Sequence, residues 1–231
     1  FGCHALLDVT LDPPRYGRRG RSSTLCIRNV VPAPHLAARH AAAHSSVLFS
    51  GTLTPPAFYR DLLGLPPETG WVDVESPFHS GQLAVHTVGH LSTRFADRAQ
   101  SLVPIAHLMA EQFARLPGNY LCFASSFEYL QRIAAQLQQA HPEVPQWQQT
   151  AGMDDAARQA FLDRFQEGGQ GIGFAVLGGA FSEGVDLPGH RLIGAFIATL
   201  GLPQVNPVNE EMRRAMDRHF GAGKGYDYTY L

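Results

Sequence analysis

The sequence predicts an α/β fold, a parallel sheet flanked by helices on both faces. Between residues 101 and 220, segments with apolar residues at helical spacing alternate with short continuous apolar runs. Such alternation forms a parallel sheet, because each helix carries the chain back across the sheet to start the next strand. One apolar run, residues 173–177, leads into a loop that contains glycines, a Ser, a Glu and an Asp. Loops at the carboxyl ends of parallel strands are where such sheets usually bind ligands.

Strands are predicted where apolar residues form short runs or alternate with polar residues. The predicted strands are residues 24–31, 46–49, 71–74, 82–88, 120–124, 145–150 and 173–177, and a further apolar run spans 192–200. Residues 228–231 also carry β-forming side chains. Residues 13–21 form a basic segment rich in Pro and Gly, which we interpret as a solvated linker in preference to a phosphate-binding arm.

Helices are predicted where apolar residues recur every three or four positions. The predicted helices are residues 34–44, 58–65, 101–116, 127–137 and 157–165, with a last helix that begins at 207. Asp154 or Asp155 can cap the fifth of these. Asn206 can cap the last one, with Pro207 in its first turn.

Composition limits the kinds of protein that this chain can be. With 231 residues, 45% of them hydrophobic, it can bury one large core or two unequal ones. The net charge of −2 argues neither for nor against nucleic acid, so contact with a polyanion must depend on local placement. Cys3, Cys26 and Cys122 are scattered, which excludes a disulfide framework and the usual zinc signatures. We therefore expect a cytoplasmic protein, and no apolar run has the length of a membrane span.

Three patterns that could bind metal or phosphate are excluded by their neighbours. His40 and His44 have the spacing of a two-histidine metal face, but alanines separate them and no third ligand lies nearby. Residues 221–225 contain a Gly-Lys pair but lack the Ser or Thr that would hold magnesium. Residues 168–173 are rich in glycine but precede a strand, whereas a dinucleotide-binding glycine motif follows one. We predict no metal site in this sequence.

Three polar loops follow three of the predicted strands. They contain Ser50 and Thr52, Ser125 and Ser126, and Ser182 through Asp186. Short hydroxyl side chains and exposed backbone N–H groups can hold phosphate oxygens without reading bases. A row of them across the top of a sheet would follow the backbone of a single nucleic-acid strand. Each loop taken alone could equally be an ordinary turn.

The same loops carry sequence motifs. Residues 50–55 read Ser-Gly-Thr-Leu-Thr-Pro, residues 123–126 read Phe-Ala-Ser-Ser, and residues 181–189 read Phe-Ser-Glu-Gly-Val-Asp-Leu-Pro-Gly. These resemble motifs III, IV and V of superfamily 2 helicases of the XPD/DinG type, and the Ser-Glu-Gly-x-Asp core of the third is the most specific signal. Ser76-Pro77-Phe78 and Asn206-Pro207 also fit the DinG-like branch. The resemblance covers nearly the whole chain from about Thr24.

The resemblance implies a RecA-like sheet, the P-loop NTPase fold, as the second lobe of a two-lobed motor. It implies a DNA helicase that couples ATP hydrolysis to 5′-to-3′ movement along single-stranded DNA and to duplex unwinding in repair or replication. Gly184 and Asp186 would then face the nucleotide. The side chains toward the DNA strand or the lobe interface would be those of Thr52, Ser125, Ser126 and Ser182.

The implied domain boundary falls after residue 55. Residues 1–55 would be the tail of the first lobe, with the basic linker and with Ser50, Gly51 and Thr52 as the coupling residues of motif III. Residues 56–231 would be most of the second lobe and would end before motif VI. The expected partners are the first lobe, single-stranded DNA and duplex DNA junctions. We expect a monomer that does not bind membranes.

Several parts of a complete motor are not in this sequence. The phosphate-binding loop, the Asp-Glu-Ala-His magnesium motif and the arginines of motif VI are absent. Phosphoryl transfer depends on such groups, so we expect the first lobe to hold most of the ATP and Mg²⁺ and assign no catalytic residue to this chain. The family's 4Fe–4S cluster needs four cysteines, so a cluster in the intact protein would have no ligands here.

Two other functions remain open at this point. The chain could be a nucleic-acid-binding module that resembles a helicase but never hydrolyses ATP. A less favoured alternative is an α/β metabolic enzyme whose glycine-rich loop binds a mononucleotide. Salt-sensitive, sequence-indifferent binding of single-stranded DNA is expected of a helicase lobe and not of the metabolic enzyme.

Overall fold

The computed structural model describes residues 4–11, 22–203 and 205–230. The chain divides into two compact units, Leu83–Gly201 and a second that combines Phe1–Gln82 with Leu202–Leu231. The predicted basic linker at residues 13–21 lies outside the described residues. The predicted boundary between two motor lobes after residue 55 stays a prediction.

All six predicted helices and four of the predicted strands are confirmed to within a few residues. The strands are β1 (Ala5–Leu11), β2 (Ser23–Asn29), β3 (Asn119–Ala124), β4 (Gln146–Gln148), β5 (Gly171–Val176) and β6 (Gly194–Ile197). The α-helices are α1 (Ala33–Ala42), α2 (Pro56–Leu63), α3 (Arg98–Arg115), α4 (Phe127–Ala140), α5 (Asp155–Leu162), α6 (Pro207–Phe220) and α7 (Lys224–Tyr230). Strand β6 lies within the apolar run at 192–200.

The unit Leu83–Gly201 contains one parallel sheet with the strand order β4-β5-β3-β6. Side chains of β3 alternate between the two faces of this sheet. Cys122 belongs to the core formed with α3 and α4, whereas Leu121 packs with Phe161 of α5 and with Phe165 on the opposite face. Helices therefore cover both faces, and the predicted α/β fold is confirmed.

Local signals at the helix ends act as the sequence predicts. Asp154 caps α5, because its carboxylate accepts the backbone N–H of Ala157 at 2.8 Å. Asn206 caps α6 in the same way, with the N–H of Asn209 at 2.8 Å. Gly64 ends α2 in the left-handed conformation that glycine adopts without steric cost (φ +64°).

The predictions of strands at residues 46–49, 71–74 and 82–88 are wrong. These segments contain no strand, and apart from half-buried Trp71 their apolar side chains are exposed; Phe49 is 91% and Val74 86% exposed. A strand is stable only where its backbone groups pair with a neighbouring strand. Among the described residues, none of the three segments has such a neighbour, so apolar composition alone does not make them strands.

Strand β1 is present although residues 1–23 as a whole show little periodicity. It pairs antiparallel with β2 over its full length, from Ala5 opposite Asn29 to Leu11 opposite Ser23. Its apolar and polar side chains alternate from Leu7 to Leu11, which is a strand signal. The basic segment that follows obscures this signal when the N-terminal stretch is taken together.

The β-forming residues near the C-terminus lie in helix α7, so that prediction is also wrong for residues 228–230. The Tyr230 hydroxyl donates to the carboxylate of Glu210 in α6 at 2.8 Å. Asp217 of α6 accepts the backbone N–H groups of Gly223 and Gly225, both at 2.8 Å. The bonds to Asp217 satisfy backbone N–H groups at the start of α7, and the bond to Glu210 holds its end. Together these contacts with α6 outweigh the local preference for a strand.

We predict that Gly225→Ala lowers stability by about 1–3 kcal/mol, because the added methyl group would overlap the backbone carbonyl of Arg213 in α6. Helix propensity alone predicts the opposite, since alanine is favoured over glycine in helices by about 1 kcal/mol. Gly70→Ala is the control, because a Cβ there meets no atom within 4 Å. Thermal unfolding of both variants measures the difference, and equal midpoints would contradict the close packing.

Candidate functional site

The two central strands place two of the predicted loops side by side. Strands β3 and β5 run parallel in a register that sets Ala124 opposite Val176, so both strands end at the same edge. The backbone N–H of Leu177 donates to the carbonyl of Ala124 at 2.9 Å and extends the pairing by one residue. Ser125 and the loop 177–189 therefore leave the sheet as neighbours, at the edge where parallel sheets bind ligands.

Loop 177–189 is anchored by its apolar side chains. Phe181 is 3% exposed, and its ring stacks on that of Phe161 with the centroids 4.3 Å apart. Val185 and Leu187 pack against the same cluster. Asp186 lies between them and is exposed, with no hydrogen bond or ion pair to another described residue. Anchored neighbours on both sides hold the Asp186 carboxylate at the surface, where it can accept hydrogen bonds from a ligand.

Gly184 has a conformation that restricts this position to glycine. Its φ is +70°, in the left-handed region that residues with a side chain rarely adopt. A Cβ at Gly184 would meet no atom within 4 Å, so the restriction comes from the backbone and not from crowding. The exposed, open backbone at Gly184 also leaves room for a ligand beside Asp186.

The Ser182 hydroxyl bonds within the loop itself. Its Oγ accepts the backbone N–H of Gly178 at 2.7 Å and donates to the carbonyl of Val176 at 3.3 Å. These two bonds close the turn that leaves β5, so Ser182 braces the loop. The predicted contact of Ser182 with DNA stays a prediction.

Ser125 and Ser126 differ in what their hydroxyl groups contact. Ser126 caps α4, because its Oγ accepts the N–H of Tyr129 at 3.2 Å. The Oγ of Ser125 instead accepts a hydrogen bond from Nη2 of Arg98 at 2.7 Å. A hydroxyl group that accepts through its oxygen can still donate its own proton. Both serines therefore keep a donor for a ligand oxygen, and Ser125 has a cation beside it.

Two residues of this edge were not predicted from the sequence. Arg98 lies in the first turn of α3, where a positive charge opposes the helix dipole; that unfavourable placement is the signal that could have identified it. Gln149 is 8% exposed and follows β4. Its side-chain oxygen accepts the N–H of Val176 at 2.8 Å and supports the end of β5. Nothing in the sequence around Gln149 distinguishes it from its neighbours.

Ser50, Gly51 and Thr52 lie in the other unit, in an exposed and irregular segment. The Ser50 Oγ accepts the N–H of Thr52 at 3.4 Å, and the Tyr59 hydroxyl donates to the carbonyl of Thr52 at 3.2 Å. The hydroxyl of Thr52 bonds to no other described residue. This geometry leaves Thr52 accessible, and the predicted coupling role of the three residues stays a prediction.

The described residues contain no group of three or more His, Cys, Asp or Glu side chains that could hold a metal ion. His40 contacts the Ser46 hydroxyl, with Nδ1 and Oγ 3.5 Å apart, and His44 is exposed. Burial raises the pKa of the Cys122 thiol to about 12, so this thiol stays protonated near neutral pH. No helix in the described part of the chain is both long and apolar enough to span a bilayer.

Comparison with known proteins identifies the family. Residues 109–231, more than half of the chain, match the helicase C-terminal domain family, and the chain belongs to it. A 110-residue stretch is 29% identical to the probable ATP-dependent helicase MJ0942 of Methanocaldococcus jannaschii. That stretch is 45% of this chain and 16% of the length of the relative.

Solved structures show the same fold. A structure described as an XPD helicase superposes with a TM-score of 0.63 at 16% identity and covers 89% of this chain. A structure described as XPD in the apo form superposes with a TM-score of 0.65 at 15% identity and also covers 89% of this chain. This chain spans 37% and 42% of those two chains. The predicted resemblance to XPD/DinG-like helicases and the RecA-like fold are therefore confirmed.

We predict that Ser182→Ala loosens the start of loop 177–189 at a cost of about 1 kcal/mol, because the Gly178 N–H loses its acceptor and the Val176 carbonyl a donor. Amide hydrogen exchange at Gly178 should become faster. Ser45→Ala is the control, since Ser45 is exposed and its hydroxyl bonds to no other described residue. Unchanged exchange at Gly178 would contradict the bracing role.

Proposed function

We propose that this chain is the second motor lobe of an ATP-dependent DNA helicase. Its family and its XPD-like fold support this assignment. Its strongest support is the shared edge of β3 and β5, where two loops that resemble helicase motifs lie side by side. One of them presents exposed Asp186, and the other presents Ser125 beside Arg98.

Loop 177–189 is the proposed nucleotide side of the lobe. The exposed Asp186 carboxylate can accept hydrogen bonds, and the open backbone at Gly184 lets a nucleotide approach closely. When bound, ATP with Mg²⁺ supplies the phosphoryl group whose transfer drives the motor. Most of the residues that hold ATP and Mg²⁺ would belong to the first lobe, and Asp186 would add a contact from this one.

The serines after β3 are the proposed DNA side. Ser125 and Ser126 each keep a hydroxyl proton that can be donated to a phosphate oxygen. Contacts of this kind read the backbone and not the bases, which suits a motor that moves along any sequence. Thr52 is accessible for the same purpose, and Ser182 would contribute mainly by keeping its loop in shape.

The finer parts of the proposal come from the resemblance to the XPD/DinG branch. They are 5′-to-3′ movement, action on duplex junctions as a monomer, and a role in DNA repair or replication. A 4Fe–4S cluster would belong to other parts of the intact protein. Strand displacement assays on substrates with a 5′ or a 3′ tail test the direction, and iron analysis of the intact protein tests the cluster.

We predict that the purified 231-residue chain shows no ATPase activity that single-stranded DNA stimulates. The sequence contains no phosphate-binding loop, no Asp-Glu-Ala-His motif and no motif VI arginine, and phosphoryl transfer in these motors depends on such groups. A coupled ATPase assay with and without oligo-dT measures this. Robust turnover would refute the claim that this chain alone is inactive.

In the intact protein, Asp186→Ala should reduce DNA-stimulated ATPase by about tenfold or more while the Kd for single-stranded DNA changes little. Such a loss corresponds to about 1.4 kcal/mol or more in the activation barrier, in the range of one charge-assisted hydrogen bond. Asp73→Ala is the control, because Asp73 is also exposed and bonds to no other described residue. Weaker DNA binding with normal ATPase would place Asp186 on the DNA side.

Anisotropy titration of the 231-residue chain with labelled oligo-dT separates the proposal from its alternatives. Salt-sensitive binding is expected of a helicase lobe, and absence of binding favours a mononucleotide-binding enzyme. A non-hydrolysing module would bind in the same way, but the intact protein would then lack ATPase activity as well.

A further inference from the structure

We propose that Arg98 and Phe95 complete a subsite with Ser125 that holds one nucleotide of single-stranded DNA, its phosphate on Arg98 and Ser125 and its base on Phe95. The inference rests on the proposed function, because it specifies how the lobe would hold the strand. Neither Arg98 nor Phe95 belongs to the motifs that identify the family in this sequence.

Arg98 is positioned by contacts with Ser125, Thr93 and Tyr129, and none of these partners is acidic. Its Nη2 donates to Ser125 Oγ at 2.7 Å, and its Nε donates to the carbonyl of Thr93 at 3.3 Å. The guanidinium also lies over the ring of Tyr129, 4.7 Å from the centroid, and Tyr129 is 1% exposed. No carboxylate forms an ion pair with Arg98 among the described residues, so its charge remains available to an anionic ligand.

The bond from Arg98 sets the direction of the Ser125 hydroxyl. Because Ser125 Oγ accepts from the guanidinium, its own O–H must donate elsewhere, and no acceptor for it lies among the described residues. The result is a hydroxyl donor with no described acceptor, next to a cation. Phosphate oxygens are acceptors with negative charge, and charge-assisted bonds to them are the stronger class.

Phe95 supplies an apolar surface beside this pair. It lies in a short 3-10 turn, Phe95–Asp97, which leads directly into α3. Its ring is 81% exposed, with the centroid 5.4 Å from the Arg98 guanidinium carbon. An exposed ring next to a phosphate-binding cation is the arrangement by which proteins hold single strands, because every base can stack on an aromatic face. The chemistry therefore favours a single-stranded nucleic acid over a free phosphate.

The test is anisotropy titration of the 231-residue chain with labelled oligo-dT across a range of salt concentrations. Arg98→Gln should raise the Kd about tenfold and reduce the slope of log K against log salt by about 0.7, the value for one phosphate contact on a single strand. Phe95→Ala should raise the Kd about fivefold or more with an unchanged slope, because stacking is not ionic. Arg98→Lys should keep the slope, because it keeps the charge.

Arg115→Gln is the matched control. It removes the same charge from the other end of the same helix, where Arg115 is paired with Glu111. Ser125→Ala should raise the Kd for oligo-dT. The double variant with Arg98→Gln should raise the Kd by less than the product of the two single increases, because the residues act together. Thermal unfolding of each variant separates loss of binding from loss of structure, and exposed Phe95 can be changed with little effect on folding.

If the wild-type chain binds oligo-dT but Arg98→Gln and Phe95→Ala match Arg115→Gln, the subsite is refuted and the proposed function stands. If the wild-type chain binds no oligo-dT at any salt concentration, both are refuted. A third outcome is that the chain binds inorganic phosphate but not oligo-dT, and that Phe95→Ala leaves phosphate binding unchanged. That result would show an anion site only and would also refute the subsite.

Discussion

The parallel pairing of β3 with β5 is the constraint on which the proposed site depends. Six consecutive residue pairs, from Asn119 opposite Gly171 to Ala124 opposite Val176, fix where both strands end. A shift by one residue would reverse the faces of every side chain in β5, so that Ile172 and Phe174, which pack in the core with α3 and α4, would move to the face where Ala175 packs with Phe161 and Phe165. The fully buried side chains Ile172 and Phe174 exclude such a shift. The relative position of the two motif loops thus follows from core packing.

Within that frame, the loop side chains divide into those that build the loops and those that remain for ligands. Ser182, Phe181 and Gln149 are used internally, through two hydrogen bonds, a ring stack and a bond to the end of β5. Asp186 and Ser125 keep an acceptor and a donor, respectively. A motif can therefore contain residues of both kinds, and contacts are needed to tell them apart.

Much of this fold could be predicted from the sequence, because an element that buries one face has apolar residues at regular spacing. The helix stripes, the caps at Asp154 and Asn206, and the strands β3 and β5 are all encoded locally. Phe49 and Val74 show the limit: apolar residues favour a strand, but a strand needs a pairing partner, which local sequence does not reveal. Tyr230 shows the opposite case, since contacts with α6 override a local preference for β structure.

The candidate site was predictable in its location and only partly in its chemistry. The positions of Ser125, Gly184 and Asp186 after strands were enough to place them at the carboxyl edge of the sheet. The Arg98–Ser125 bond joins residues that lie 27 apart in the sequence, and it depends on how α3 packs beside β3. The role of Ser182 could not be predicted either, because a serine in a loop can equally bind a ligand or its own backbone.

We propose that the shared edge of β3 and β5 has a DNA side at Ser125 and a nucleotide side at Asp186. Hydrogen–deuterium exchange of the intact protein, with oligo-dT alone and with a non-hydrolysable ATP analogue alone, tests it most directly. Oligo-dT should protect peptides that span residues 93–98 and 125–129, and the nucleotide should protect residues 183–187. Protection of the same peptides by both ligands, or the reverse pattern, would contradict the claim.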